Sequence, residues 1–116
     1  MPPITLLHNP RCSKSRQALA LLEERGATVT VRRYLDQPLD EAELRGLIAR
    51  LEGPLTALVR SKEAEWKALD ADAGDLEQVV AAILAHPRLL ERPIADDGQR
   101  AVIGRPPEQV LALLEA

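Results

Sequence analysis

Cys12 is the only cysteine of the chain and the side chain best suited to nucleophilic chemistry. A thiol reacts as its thiolate, which is scarce at neutral pH unless the surroundings stabilise the negative charge. Cys12 falls at or just before the first turn of a predicted helix, where unpaired backbone N–H groups and the helix dipole favour an anion. The basic residues Arg11, Lys14 and Arg16 lie close to it in the sequence. This pattern predicts a reactive thiolate.

Hydroxyl and imidazole groups near Cys12 extend the predicted site. Ser13 and Ser15 carry hydroxyls able to donate to the sulfur, and His8 lies across the strand-to-helix turn as an electrostatic helper. Each has an ordinary structural alternative, Ser13 as a helix-start residue and His8 as a turn residue. The alternative for Cys12 is an inert buried thiol. The polar and basic flanking residues disfavour that alternative.

The spacing around the cysteine restricts the chemistry. Residues 12–15 read Cys-Ser-Lys-Ser, so any adduct on Cys12 must be resolved by an outside thiol, with glutathione the obvious candidate. Cysteine phosphatases need an arginine six positions after the cysteine, where this chain has Ala18. The sequence has neither a His/Cys spacing suited to zinc nor a glycine-rich phosphate loop. We therefore predict no metal site.

Hydrophobic periodicity predicts the elements that position Cys12. The apolar run Ile4–Leu7 indicates a buried strand, and a helix is predicted from about Ser13 to Arg25. A second strand over 29–34 completes a β-α-β unit. A helical block follows, and then a hairpin around 92–103 and a last helix. This order is typical of an α/β protein with a mixed sheet.

Two helices of the central block begin with capping signals. Asp40 and Glu43 form the pattern of a capping box, and Asp75 with Gln78 indicates the start of another helix. The predicted buried face of this later helix consists of Leu76, Val79, Val80, Ile83 and Leu84.

Composition narrows the class of protein. The chain has 116 residues, of which 46% are hydrophobic, and a net charge of −3. These values predict a single domain over 1–116 and provide no basic field for nucleic acid. The sequence contains no segment that resembles a secretory leader or a membrane span. We expect a cytoplasmic monomer that binds neither nucleic acid nor membrane.

Residues 8–16, His-Asn-Pro-Arg-Cys-Ser-Lys-Ser-Arg, resemble the active-site loop of the glutaredoxin-coupled arsenate reductases. Arg92–Ile94 and Gly104–Pro107 resemble two later segments of that family, and Arg60 matches an arginine in its middle region. The resemblance covers nearly the whole chain and is strongest to the short, arsenate-reductase-like branch. It implies a thioredoxin-like α/β fold, with a four-stranded mixed sheet, flanking helices and a helical insertion. It also implies a cis peptide bond before Pro93.

The resemblance further implies a reaction. Arg60, Arg92 and Arg105 would converge on Cys12 to hold an oxyanion, because guanidinium groups bind oxyanion oxygens in pairs. The Cys12 thiolate would attack the arsenic of arsenate, glutathione would attack the adduct, and glutaredoxin would reduce the mixed species to release arsenite. Glutathione is then a co-substrate, and no tightly bound cofactor is implied. The supporting residues implied are His8, Asn9, Ser15 and Pro93.

Two other functions stay open. A glutathione-linked thiol-disulfide oxidoreductase would act at Cys12 on protein or small-molecule thiols and would depend little on Arg60. A relative of the family regulates transcription by docking on RNA polymerase, with a redox switch built on a second cysteine. Ser15 occupies that position here, which leaves a constitutive, non-enzymatic polymerase-binding regulator as the other alternative.

Overall fold

A four-stranded mixed sheet lies at the centre of the computed structural model, which describes residues 3–114. The strands are β1 (Ile4–Leu7), β2 (Val29–Arg32), β3 (Ile94–Asp96) and β4 (Ala101–Ile103). Their order in the sheet is β2-β1-β3-β4. β1 runs parallel to β2 and antiparallel to β3, and β3 runs antiparallel to β4. The predicted union of a β-α-β unit with a hairpin is confirmed.

Helices pack on both faces of the sheet. They are α1 (Ser13–Glu24), α2 (Glu41–Arg50), α3 (Ala64–Leu69), α4 (Leu76–Ala85) and 3-10 segments at Leu55–Leu58, Pro87–Leu89 and Pro107–Leu114. α1 and the last 3-10 segment share one core, and the block between β2 and β3 contributes to the other. The predicted fold class, an α/β sheet of four strands with flanking helices and a helical insertion, is confirmed.

Alternating strand side chains build these two cores. Leu6 and Ala95 pack with α1, whereas their neighbours Leu7 and Ile94 pack with the central helical block. Successive residues of a strand point to opposite faces. β1, β3 and β4 therefore supply apolar side chains to both cores, which explains why their sequences are almost continuously hydrophobic.

The predicted capping signals begin α2 and α4. Asp40 accepts a hydrogen bond of 2.8 Å from the Glu43 amide, and the Glu43 carboxylate accepts one of 3.0 Å from the Asp40 amide. Asp75 accepts a hydrogen bond of 3.1 Å from the Gln78 amide. These bonds satisfy N–H groups that lack partners within a helix.

The buried face of α4 is narrower than predicted. Leu76 and Leu84 are exposed, and the buried residues of this helix are Val79, Val80, Ala82 and Ile83. Leu76 and Leu84 lie in the first and last turns, where the helix extends past the core it covers. Periodicity identifies the face of a helix but not how far the neighbouring core extends along it.

The strand register brings four chain segments to one end of the sheet. Leu7 lies opposite both Arg32 and Ile94, and Ile94 lies opposite Ile103. The chain after β1, after β2, before β3 and after β4 therefore meets at this end. These segments contain Cys12 and several arginines.

At Gly104, the segment after β4 packs closely against the segment before β3. The Gly104 amide donates a hydrogen bond of 2.8 Å to the carbonyl of Pro93. A Cβ atom at this position would lie 2.8 Å from Pro93 Cγ and 2.9 Å from Val110 Cγ1. Only glycine fits at this separation, so it holds the segment before β3 against the segment after β4.

We expect Gly104→Ala to lower the free energy of unfolding by about 1–3 kcal/mol, because Pro93 and Val110 must move apart to admit a methyl group. Gly46→Ala is the matched control. Its Cβ would meet only the end of the Arg50 side chain, and the change should raise stability by up to about 1 kcal/mol. Urea unfolding measures both. Equal effects of the two substitutions would contradict the close packing inferred at Gly104.

Candidate active site

Cys12 occupies the N-cap position of α1, directly after the loop that follows β1. Its amide donates to the Asn9 carbonyl, and its own carbonyl accepts from the Arg16 amide, both at 3.0 Å. The residue is 9% exposed. The thiol is thus held at the positive end of a helix with narrow access from solvent.

The surroundings lower the pKa of the Cys12 thiol below its ordinary value. Burial opposes ionisation, but hydrogen bonding from the Ser15 backbone and the charge of Arg92 act in the other direction. The Lys14 backbone and the charge of Arg105 add to them. Arg105 Nη2 lies 3.7 Å from Cys12 Sγ. The guanidinium charges that favour the thiolate therefore come from the far end of the chain.

Glu91 fixes the two arginines beside the sulfur. Its Oε1 lies 3.3 Å from Arg92 Nη1 and 3.2 Å from Arg105 Nε. Arg105 Nε also donates to the Arg92 carbonyl at 2.8 Å. One carboxylate is shared by two guanidinium groups, so positive charge remains beside Cys12. Sequence analysis missed Glu91, whose only signal is a carboxylate directly before the Arg-Pro segment.

The peptide bonds before two prolines at this end of the sheet are cis. The Arg92–Pro93 bond has the form that the family resemblance implies, and the Arg105–Pro106 bond shares it. Nothing in the sequence analysis pointed to the second one. Each of these bonds directly follows an arginine that lies beside Cys12.

The guanidinium group of Arg60 contacts residues of the helical block. Its Nη2 pairs with Glu63 at 2.5 Å, and its Nη1 donates to the Arg88 carbonyl at 3.2 Å. Among residues 3–114, no hydrogen bond joins the Arg60 side chain to Cys12. Its guanidinium is instead anchored to the helical block.

The three arginines implied by the family resemblance line two different cavities. Arg60 and Arg92 line a cavity of about 610 Å³, whereas Arg105 lines a separate cavity of about 440 Å³. Arg92 and Arg105 are the arginines whose charges act on Cys12, and Arg60 shares the larger cavity with Arg92. An anion bound in that cavity would lie near both Arg60 and Arg92.

A buried hydrogen-bond chain braces the cysteine loop. His8 Nδ1 lies 2.6 Å from Ser15 Oγ, which also accepts a hydrogen bond of 3.1 Å from the Asn9 amide. Asn9 Oδ1 accepts at 3.0 Å from the Arg11 amide. The Ser15 hydroxyl is thus engaged with the loop, and it is the backbone of Ser15 that acts on the Cys12 thiol. Ser13 is exposed.

The surroundings of His8 favour its neutral imidazole. Burial lowers its pKa, and the positive charges of Arg33 and Arg16 lower it further. Because Ser15 Oγ already accepts from the Asn9 amide, its proton is available to Nδ1 of the neutral ring. His8 therefore positions the loop by hydrogen bonding, and adds no positive charge beside the thiol.

We expect Arg105→Ala to raise the thiol pKa, because it removes a guanidinium group that lies 3.7 Å from the sulfur. The rate of alkylation by iodoacetamide as a function of pH measures this. The rate should rise with pH through the thiol pKa, and the midpoint should lie higher in the variant than in the unaltered protein. Lys14→Ala removes an equal charge two residues after Cys12 and should move the midpoint much less. A larger shift for Lys14→Ala would contradict this assignment.

Within residues 3–114, no group of three or more His, Cys, Asp or Glu side chains is arranged to hold a metal ion. No helix in the same part of the chain combines the length and apolar character needed to cross a bilayer.

Comparison of the chain with known proteins identifies its family. The model of the ArsC family matches residues 7–113. An arsenate reductase of Neisseria meningitidis is 44% identical over 117 residues, which cover 98% of this chain and all of the relative. The Escherichia coli protein YfgD, described as uncharacterized, is also 44% identical, with 96% of both chains covered.

Solved structures agree with the sequence comparison. An arsenate reductase from Vibrio cholerae superposes with a TM-score of 0.86 at 40% identity, covering 96% of this chain and 97% of that one. Family model, curated relative and solved structure all span nearly the same residues, from the cysteine loop to the last helical segment. The chain belongs to the ArsC family and has its thioredoxin-like fold.

Proposed function

We propose that this protein reduces arsenate to arsenite through an adduct on Cys12, with glutathione and glutaredoxin supplying the electrons. The observation that carries the proposal is the 3.7 Å approach of Arg105 to Cys12 Sγ, with Arg92 held beside it through Glu91. Cations next to a nucleophile favour both its anionic form and an anionic substrate. Named arsenate reductases among the relatives point to the same substrate.

The proposed reaction begins at the sulfur. The Cys12 thiolate forms a bond to arsenic while an arsenic–oxygen bond breaks, and the oxygen leaves as water after taking up protons. A glutathione thiol then displaces a second oxygen as water. Arg92 and Arg105 stabilise the negative charge on the remaining oxygens throughout, and Arg60 approaches them from across the cavity.

Reduction follows when a glutaredoxin thiolate attacks the glutathione sulfur. A disulfide forms between glutaredoxin and glutathione, and the electron pair of the broken sulfur–arsenic bond stays on arsenic, which passes from As(V) to As(III). Water then displaces arsenite from Cys12 and regenerates the thiol. Two outside thiols are consumed for each arsenate, because this chain has no second cysteine. We place this chemistry in the cytoplasm, where such thiols are kept reduced.

The larger cavity has room for glutathione. Four oxygens around a central atom fill roughly the volume of four water molecules, about 120 Å³, whereas the cavity measures about 610 Å³. Glutathione carries two carboxylates and one ammonium group. The lining includes a single aspartate, Asp36, and several arginines. These arginines are Arg11, Arg33, Arg60, Arg88 and Arg92.

We expect arsenate-dependent oxidation of NADPH when the protein is mixed with arsenate, glutathione, glutaredoxin and glutathione reductase. Cys12→Ser should abolish it. Arg105→Ala should lower kcat/KM for arsenate about 100-fold, because a charged donor beside the reacting atoms is lost. Arg25→Ala removes an exposed arginine at the far end of α1 and should leave the rate unchanged.

The same assay separates the competing functions. Absence of arsenate-dependent oxidation, in a folded protein whose thiol reacts with iodoacetamide, would overturn the proposal. Activity of that protein on a glutathionylated peptide would then identify a thiol-disulfide oxidoreductase. Equal rates in Arg105→Ala and Arg25→Ala would remove the arginine beside the sulfur from the mechanism.

We expect Arg33→Ala to raise the KM for glutathione about three- to fivefold, the effect of losing one solvent-exposed ion pair to a carboxylate. Arg33 lines the larger cavity and pairs at 3.2 Å with Asp36, so the two offer a cation and an anion to the amino-acid end of glutathione. The KM for arsenate should not change. Initial rates measured at varied glutathione concentration test this prediction, with Arg25→Ala as the control. An unchanged KM for glutathione in Arg33→Ala would show that glutathione binds elsewhere.

A further inference from the structure

Two buried side-chain polar atoms within residues 3–114 lack a hydrogen-bond partner, and both belong to residues that line the larger cavity. They are the hydroxyl of Tyr34 and Nε of Arg92. A buried polar atom without a partner costs about 1–3 kcal/mol, and native structures contain few of them. Two such atoms, on residues that line the same cavity, point to a bound molecule that supplies the missing partners once it settles against these side chains.

Tyr34 lines the larger cavity together with Arg60 and Arg92. Tyr34 follows β2, is 1% exposed, and packs its ring into the core beneath the helical block. The charges that act on its hydroxyl belong to Arg92, Arg60, Cys12 and Glu91. The core therefore fixes the apolar ring, and the hydroxyl lies within the influence of the charged groups of the site.

Both unpartnered groups are hydrogen-bond donors. Burial raises the pKa of Tyr34 above its ordinary value, although the charges of Arg92 and Arg60 oppose this, so the phenol keeps its proton at neutral pH. Nε of Arg92 can only donate. A molecule that satisfies both must present hydrogen-bond acceptors and, beside these arginines, negative charge.

We propose that Tyr34 is a substrate-binding residue whose hydroxyl donates a hydrogen bond to an oxygen of the oxyanion held by Arg92. The naming of arsenate as that oxyanion rests on the proposed function. The phenol adds an uncharged hydrogen-bond donor to a site whose other donors are cations. Because a hydrogen bond is directional, this donor favours one orientation of the bound oxyanion. Because the rigid ring is locked in the core, its hydroxyl is already oriented before the anion binds.

The test compares Tyr34→Phe with the unaltered protein. Arsenate binding is measured by isothermal titration without any thiol donor, so that no turnover occurs. We expect the variant to bind arsenate about 10-fold more weakly, as expected for a lost hydrogen bond to a charged group. Its free energy of unfolding without arsenate should stay the same or rise, because the deleted hydroxyl has no partner there. Thr5→Val removes a hydroxyl from β1, outside this cavity, and should leave binding unchanged.

Tyr34 is the only tyrosine of the chain, so the ¹³Cζ resonance of labelled tyrosine reports on this hydroxyl alone. Arsenate should shift that resonance in the unaltered protein. Arsenate affinity that is equal in Tyr34→Phe, or a resonance that does not move, would overturn the inference, as would an unaltered protein that binds no arsenate. Binding that depends on Tyr34 in a protein that fails to reduce arsenate would support the inference and overturn the proposed function alone.

Discussion

The antiparallel pairing of β1 with β3 is the constraint on which the site depends. Leu7 ends β1 directly opposite Ile94, which begins β3, so the loop that leads to Cys12 lies next to the Arg92–Pro93 segment. The pairing of β3 with β4 then adds Arg105, which contacts Cys12 across a sequence separation of 93 residues. A slip of one residue in this register would turn the strand side chains to the wrong faces. Core packing and chemistry are therefore fixed by the same pairs of strands.

The site balances burial against charge. Removing the thiol from water favours its neutral form, yet the combined effect of two guanidinium groups and two backbone segments is to favour the thiolate. Glu91 holds those guanidinium groups without neutralising both, and His8 is kept neutral by burial and by Arg33. Positive charge is thus concentrated on the arginines beside Cys12, while the cysteine loop is stabilised by neutral hydrogen bonds.

Local features of this protein could be predicted from sequence, and long-range ones could not. The capping box at Asp40 and the strand Ile4–Leu7 were predicted correctly because their signals lie within a few residues. The charges that favour the thiolate were expected from Arg11, Lys14 and Arg16, but they come mainly from Arg92 and Arg105. Sequence spacing carries no information on which distant segments a sheet brings together, and only the family resemblance identified those two residues.

Tyr34 and Glu91 show what resemblance and periodicity both overlook. The strand periodicity extends to Tyr34, but the strand ends two residues earlier, at Arg32, and Tyr34 lines the larger cavity. Glu91 adjoins a recognised motif but has no role without the geometry of Arg105. Glu91 acts through its ion pair with Arg105, which lies after the β3–β4 hairpin. The proposed partner of Tyr34 is a bound anion.

Because Cys12 is the only cysteine, the lifetime of its oxidised form depends on thiols from outside the protein. With no neighbouring thiol to expel what is bound to it, any oxidised form of Cys12 lasts until a molecule from outside reaches a side chain that is only 9% exposed. The lifetime of that form is a second-order quantity, fixed by the concentration of surrounding thiols and by the width of the entrance. Once an outside thiol has reacted, Cys12 returns to its thiol form. The rate of this return is set by the thiols that surround the protein.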